Sequence, residues 1–374
     1  MSPSAPAKER VSLPGTERLV VRSSATGVEY QIDVALPAGY EGSDKRYPTF
    51  YILDGNLEFP TAVHAYRCQR VEEIVPETIV VGIGYPEDDA NITTPGYMLS
   101  RARDYTPTAL RHKPNANELE VHPMEVTGKA QAFLEFIKQQ LIPLIDGRYR
   151  TDPRDRGLGG HSFGGLFTTH ALLTEPSIFN RYWIGSPSLW FNDGEPFTWI
   201  EAATERAVKP RGRLFLSVGA LETEIMVPPM RRMEMQFASS FASLEISSQV
   251  FPDETHMSVL GASINRALRI LYAKKALPLA RAKATEYLGK WQAQSGETMT
   301  VRLDGDRLLT AVALSHGIAF EFELAAESTD QCFFVHYDQI QIAFERDATG
   351  KVQRMRRVMF GQQTSFRREG GGHA

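Results

Sequence analysis

The stretch Arg156-Gly157-Leu158-Gly159-Gly160-His161-Ser162-Phe163-Gly164-Gly165-Leu166-Phe167-Thr168-Thr169-His170-Ala171-Leu172-Leu173 decides the fold. A short β-compatible run ends at Leu158, and a helix-compatible run from Phe163 to Leu173 is stopped at Glu175-Pro176. Between them Gly160-His161-Ser162-Phe163-Gly164 spells G-x-S-x-G. The bare pattern is only suggestive. In a strand–turn–helix context it predicts a nucleophile elbow, a turn that strains the serine backbone and lifts Oγ above a sheet. The flanking glycines leave room for the turn and for close helix packing.

Outward from the elbow, residues 17 to 275 alternate β-rich runs with helical patterns. Arg18 to Arg22 and Val28 to Leu36 flank the turn former Ser23-Ser24-Ala25-Thr26-Gly27, predicting an antiparallel hairpin. Thr49 to Leu53 and Thr78 to Ile83 stand apart by enough chain for a helical crossover. Further strands are expected at Arg156 to Leu158, Arg181 to Ile184, Leu214 to Val218 and Ser247 to Phe251. Gly128 to Ile142 puts Ala132, Phe133, Phe136, Ile137 and Leu141 on one helical face, and Gly261 to Lys275 does so with Ile264, Leu268 and Leu271. Eight strands, antiparallel first and then mostly parallel and flanked by helices, is the order of an α/β-hydrolase fold.

After Pro278 the pattern changes. A short connector helix over Leu279 to Leu288 precedes six closely spaced strand-like runs, Met299 to Leu303, Arg307 to Ala313, Ile318 to Leu324, Cys332 to Tyr337, Gln339 to Arg346 and Val352 to Phe360. Asp304-Gly305 and Asp347-Ala348-Thr349-Gly350 supply turns. The expected organisation is a disordered lead-in (1–16), an α/β-hydrolase domain (17–278), and a connector with a small antiparallel β domain (279–374). The basic residues of 344 to 374 are expected to protect an exposed sheet edge, with an anion-binding patch as the alternative.

The 374 residues, 42% hydrophobic and 23% charged, suffice for a large core and exclude wholesale disorder. A net charge of −4 offers no attraction to nucleic acid. Cys68 and Cys332, without C-x-x-C spacing, support neither a disulfide framework nor a zinc site, and no metal or cofactor is expected. With no signal-like or membrane-spanning run in the sequence, the expectation is a cytoplasmic protein without a membrane partner.

A serine hydroxyl needs a positioned imidazole to take its proton. His256, in the loop directly after the run Ser247 to Phe251, stands where this fold places that base. His161 adjoins the nucleophile and is expected to be structural or pocket-lining. The triad acid belongs between residues 162 and 256, and no aspartate occurs between Asp193 and Asp253, so after the strand Leu214 to Val218 it must be a glutamate. Glu222, four residues past that strand, is preferred; Glu224 and a Ser–His dyad stay open. For the oxyanion hole the expected donors are the N–H of Phe163, next to the nucleophile, and that of Asn56 in Leu53-Asp54-Gly55-Asn56. Arg101 and Arg103, with Arg111, His112 and Lys113, are candidates for an anionic substrate or for structural pairing with Asp104 and neighbouring carboxylates. Trp190, Phe191 and Trp199 are candidates for an aromatic pocket or for the core.

With these residues the chain resembles the esterase D / putative-esterase family of α/β hydrolases, which includes enterobactin-type siderophore esterases, feruloyl esterases, S-formylglutathione hydrolases and mycolyl-transferases. The resemblance rests on Tyr51-Ile52-Leu53-Asp54-Gly55-Asn56, Arg101-Ala102-Arg103-Asp104-Tyr105-Thr106-Pro107-Thr108, Gly160 to Gly165, Gly185-Ser186-Pro187-Ser188-Leu189-Trp190 and Glu254-Thr255-His256. It implies that the Leu-Asp-Gly-Asn stretch supplies the second oxyanion donor and that the acid is the glutamate after Val218-Gly219, as in the siderophore-esterase branch. The β-rich tail is similar to β domains appended to some serine β-lactamase-like hydrolases and carries no catalytic residues over. The expected activity is serine carboxylic-ester hydrolysis of a small-molecule, aromatic or siderophore-like ester. An acyltransferase or thioesterase on the same triad, or a noncatalytic binding protein, is the alternative. A homo-oligomer through the C-terminal domain is a further expectation.

Overall fold

The computed structural model describes residues 12–86, 95–111, 126–222, 224–313 and 319–369. Two compact units emerge. One holds residues up to 65 together with 77–271; the other holds 66–76 together with the chain from 272 onward. The second unit's early piece is joined to it by backbone pairing, since the Gln339 N–H donates to the Glu73 carbonyl at 2.9 Å.

The first unit is built on eight strands, β1 (Thr16–Arg22), β2 (Glu29–Ala35), β3 (Tyr47–Ile52), β4 (Ile79–Gly84), β5 (Thr151–His161), β6 (Arg181–Gly185), β7 (Gly212–Gly219) and β8 (Leu244–Phe251). They lie in the order β1-β2-β4-β3-β5-β6-β7-β8. β1 pairs antiparallel with β2 and β2 with β4; every later pairing is parallel. The hairpin expected at the start is therefore the antiparallel edge of an α/β-hydrolase sheet. Ile79-Val80-Val81 and Ile83 in β4 are buried, the unbroken apolar run that a parallel strand covered on both faces requires.

The helices are α1 (Gly55–Val71), α2 (Pro95–Tyr105), α3 (Ala130–Phe136), α4 (Ile142–Arg148), α5 (Phe163–Thr174), α6 (Phe191–Glu205), α7 (Val227–Ser240) and α8 (Val259–Tyr272). A π turn over Ile137–Leu141 joins α3 to α4, so the helix expected from Gly128 to Ile142 runs on to Arg148. Phe133, Phe136, Ile137 and Leu141 face the core as their spacing requires, whereas Ala132 is only partly buried. β5 is longer than expected because its register with β3 jumps from Tyr47↔Thr151 to Thr49↔Arg156. The intervening Asp152-Pro153-Arg154-Asp155 bulges, and its charge and proline hide the strand from a periodicity reading.

The second unit is a short helix α9 (Arg281–Thr285) and a closed antiparallel barrel of β9 (Gly289–Ala293), β10 (Thr298–Asp304), β11 (Arg307–Ala313), β12 (Ala319–Ser328), β13 (Gln331–Phe334), β14 (Tyr337–Arg346), β15 (Val352–Met359) and β16 (Gln362–Arg368). Trp291, Met299, Ile342, Met355 and Phe366 fill its core, and the Tyr287 and Phe344 rings stack at 4.0 Å. Two strands were not expected. β9 and β16 pair with each other and close the ring. β9 is five residues long and β16 buries only Phe366, so neither offers enough alternation to be read. The run expected over Cys332 to Tyr337 is split at His336, where a φ of 77° turns β13 into β14. Closure also corrects the expected charged edge. β15 is paired on both sides, and Arg357, 5% exposed, donates from Nη2 to Glu297 at 3.1 Å.

Among the described residues no helix is long and apolar enough to cross a membrane.

Candidate active site

The site is assembled at the C-terminal ends of β3, β5, β6, β7 and β8, where open α/β sheets place their reactive loops. Ser162 joins β5 to α5 with φ 60° and ψ −116°. That conformation is costly for a residue with a Cβ and persists only where surrounding structure enforces it. The enforcement is close packing: a Cβ on Gly160 would come within 2.7 Å of the Gly164 backbone, and one on Gly165 within 2.8 Å of the Gly185 carbonyl. The Ser162 N–H donates to the Gly185 carbonyl at 2.9 Å, and its own carbonyl accepts from Leu166 and Ser188. Its Oγ lies 3.4 Å from the Ser188 hydroxyl.

The loops after β7 and β8 are tied together by Ala220 N–H to the Phe251 carbonyl and Leu221 N–H to the Glu254 carbonyl. This brings Glu222 to His256. Oε2 lies 2.6 Å from Nδ1, while Oε1 accepts from the Gly219 N–H at 2.8 Å and the Ser186 hydroxyl at 2.6 Å. The Glu222 side chain is 1% exposed and that of His256 39%, so the acid is sheltered and the imidazole reaches the solvent side. Burial opposes ionisation of Glu222, but the hydrogen bonds from His256, Ser186 and Gly219 outweigh it and hold the carboxyl below its ordinary range. A carboxylate there assigns the proton to Nδ1 and leaves Nε2 as the acceptor. Glu224 is exposed.

His161 is buried, with its ring centroid 4.5 Å from that of His256. Burial first, and then the charges of His256 and Arg101, push it well below the ordinary histidine value, so it stays neutral.

At the end of β3, Asp54 precedes α1 with φ 50°. Its carbonyl accepts from the N–H groups of Leu57 and Glu58, which makes Gly55 and Asn56 the first two residues of the helix. Amides in that position point out of the helix end and favour negative charge. The Asn56 side chain is held through both amide atoms, donating to the Tyr85 carbonyl and accepting from the Tyr85 N–H, both at 2.8 Å. Gly84 makes room for it, since a Cβ there would meet Asn56 Oδ1 at 2.2 Å. Phe163, the other expected donor, opens α5.

The expected substrate contacts are placed as follows. Arg101 donates from Nε and Nη2 to the two oxygens of Asp54 at 2.6 and 2.8 Å. Arg103 does the same to Asp104 at 2.8 and 2.7 Å. Arg111 donates to Glu195 at 2.9 Å, and His112 and Lys113 lie outside the described residues. Trp190 is half-buried with its ring 5.8 Å from that of Phe163, and Phe191 is fully buried. Sequence reasoning assigned no role to Ser186, Ser188, Tyr97 or Tyr105. Gly185-Ser186-Pro187-Ser188 stood out only as a motif, and the direction of its hydroxyls depends on a turn in which Ser186 takes φ 35°.

The family model described as Putative esterase matches residues 23–257, and one described as Domain of unknown function DUF3471 matches 273–368. The ferri-bacillibactin esterase BesA of Bacillus subtilis is 32% identical over 279 residues, covering 69% of this chain and 90% of that protein. A siderophore enterobactin esterase of Emericella nidulans is 34% identical over 201 residues, 51% of this chain and 60% of that one. Among solved structures, the BES protein from Bacillus cereus aligns with a TM-score of 0.62 at 30% identity, covering 72% of this chain and 99% of that chain. An IroE-like serine hydrolase from Shewanella oneidensis aligns at 0.59 and 26% identity, covering 72% and 85%. With an elbow serine on an eight-stranded hydrolase sheet and this extent of similarity, the chain belongs to the Putative esterase family and is a serine ester hydrolase carrying a C-terminal β-barrel domain.

Proposed function

We propose that Ser162, His256 and Glu222 form the catalytic triad and that the substrate is a siderophore ester. The observation that carries the triad is the coordination of Glu222, whose two oxygens meet three donors and so present a fixed carboxylate to His256 Nδ1. Ser162 Oγ attacks the ester carbonyl carbon as His256 Nε2 takes the hydroxyl proton. The N–H groups of Asn56 and Phe163 stabilise the resulting oxyanion. Collapse breaks the bond to the alkoxide, which leaves with the proton from His256, and Ser162 keeps the acyl group. Water then gives one proton to His256 as it attacks the acyl carbon; collapse breaks the bond to Ser162 Oγ, which takes that proton back from His256, and the acid is released.

The siderophore assignment is supported by the names of the relatives, which include a ferri-bacillibactin esterase, a siderophore enterobactin esterase and a siderophore triacetylfusarinine C esterase. A fluorophosphonate probe tests the nucleophile: wild-type protein is expected to take the label at Ser162 and Ser162→Ala to take none. The substrate class is tested on a panel of neutral aliphatic, aromatic, thioester and catecholate-lactone substrates. The highest kcat/KM is expected on the lactone, and preference for an aliphatic ester or thioester refutes the assignment. Product analysis with added alcohol separates hydrolysis from transfer.

A further inference from the structure

Arg101 does not face the substrate as a free cation. Its side chain is 11% exposed and spans two oxygens of Asp54, itself 4% exposed. Asp54 receives more than this pair. The Tyr97 hydroxyl donates to Oδ1 at 2.9 Å, and the Asp54 N–H donates to the Tyr105 hydroxyl at 3.0 Å. All three partners, Tyr97, Arg101 and Tyr105, come from α2, and all converge on one residue with φ 50° that immediately precedes the first turn of α1. That turn contains the Asn56 amide. The same guanidinium lies 6.0 Å from the Phe163 ring centroid, and a Cβ on Gly164 would stand 3.5 Å from Asp54 Oδ2. The pair is therefore wedged between the two helix starts that carry the oxyanion donors.

We propose that Arg101 is a positioning residue for the oxyanion hole, acting through Asp54 to hold the first turn of α1 in register with the start of α5. This rests on the reading of Asn56 and Phe163 as the donors. An aspartate tolerates a positive φ better than most residues, and three contacts from one helix hold Asp54 in that one conformation. A bidentate guanidinium fixes orientation as well as distance, which an ammonium does not. Burial and then Asp54 push the carboxyl of Glu58, one turn along α1, well above the ordinary range, which disfavours a second negative charge beside the pair.

The test compares Arg101→Lys, Arg101→Met and Tyr97→Phe with wild type on a neutral p-nitrophenyl ester and its anionic analogue, alongside inhibition by an alkyl boronic acid, which mimics the oxyanion on Ser162. Removing an oxyanion donor costs about 10²–10³ in kcat, so displacing one through Arg101→Met should cost up to about 10². Tyr97→Phe should cost about threefold to tenfold and Arg101→Lys should fall between. In every case KM on both esters should change less than about threefold, and boronate affinity should fall in proportion to kcat. A rise in KM confined to the anionic ester, or unchanged kcat in Tyr97→Phe and Arg101→Lys, overturns the proposal. The last two variants decide the matter even if Arg101→Met does not fold. Wild-type protein that fails to label at Ser162 would instead refute the reading of the nucleophile, so the two failures are distinct.

Discussion

Replacing Glu222 by glutamine changes one atom and leaves the side-chain shape intact, and the structure says why it should nearly silence the enzyme. Three donors converge on the carboxylate: His256 Nδ1–H on Oε2, and the Gly219 N–H with the Ser186 hydroxyl on Oε1. A glutamine offers one acceptor oxygen and one donor NH2. If the oxygen keeps Gly219 and Ser186, the NH2 faces His256, and Nδ1 must shed its hydrogen to accept. The proton then sits on Nε2, which can no longer take one from Ser162. If the amide flips, the NH2 meets the Gly219 N–H head on, leaving a buried donor unsatisfied at about 1–3 kcal/mol. Either outcome also removes the negative charge that stabilises the imidazolium. Losing the correct tautomer in a triad costs about 10⁴ in kcat, or about 5 kcal/mol in barrier, so we expect a fall of about 10³–10⁴ for Glu222→Gln. The assay is kcat on a neutral p-nitrophenyl ester at pH 7.5, with circular dichroism and thermal melting to establish that the fold is kept. A folded Glu222→Gln protein within about tenfold of wild type would refute the role of Glu222 and favour a Ser–His dyad.

Ser186→Ala removes one of the two donors on Glu222 Oε1 and is expected to lower kcat about tenfold with KM unchanged; an unaltered kcat would show that Gly219 alone suffices. Glu58→Gln should leave kcat within about twofold and the melting temperature nearly unchanged, because burial and then Asp54 push this carboxyl well above its ordinary range and so favour the uncharged form that glutamine mimics; a large loss of either would mean that its charge is used. In the barrel, Asp330 accepts from Arg346 Nε and Nη2 at 2.8 and 2.7 Å and from the Tyr287 hydroxyl at 2.9 Å. Hydrogen bonding to Arg346 lowers its carboxyl to about 2. Asp330→Asn keeps a residue that tolerates the φ of 65° and should lose up to about 1 kcal/mol of stability near pH 7, since solvent screens a pair this close to the surface. A depressed carboxyl stabilises the fold above the unfolded value and ceases to do so as pH falls through the folded one. The deficit of Asp330→Asn against wild type should therefore shrink below pH 4 and vanish near pH 2, and a deficit independent of pH would argue against the ion pair.

The succession of strands along the chain was legible because each run carries its own signal: a polar turn between β1 and β2, an aromatic and β-branched run in β3, a β-branched apolar run in β4, and glycines around Ser162. The proposed acid was narrowed by elimination, since chain order and the absence of aspartate left Glu222 and Glu224 after β7, and burial together with the contacts to His256, Ser186 and Gly219 sets Glu222 apart from the exposed Glu224. The partners of Arg101 were not legible. Asp54 stands 47 positions away, and nothing in local composition separates a guanidinium that clamps a backbone from one that waits for an anion. The barrel's closure was hidden for a related reason. The pairing of β9 with β16 joins Trp291 to Arg368 across 77 residues, and two short strands with few buried side chains give a period-two pattern too brief to detect.

The ring in the C-terminal domain has one seam, and both strands that meet there are terminal to it. Clipping the chain before Gln362 would remove β16 and, in the same stroke, bare the backbone edges of β15 and β9. Loss of so few residues would leave an open curved sheet with two unpaired margins, each a template for strand addition from another molecule. An intact tail thus leaves no unpaired strand edge in this ring for another chain to extend. Any partner of the closed form must be engaged through side chains on the barrel's outer face or rims.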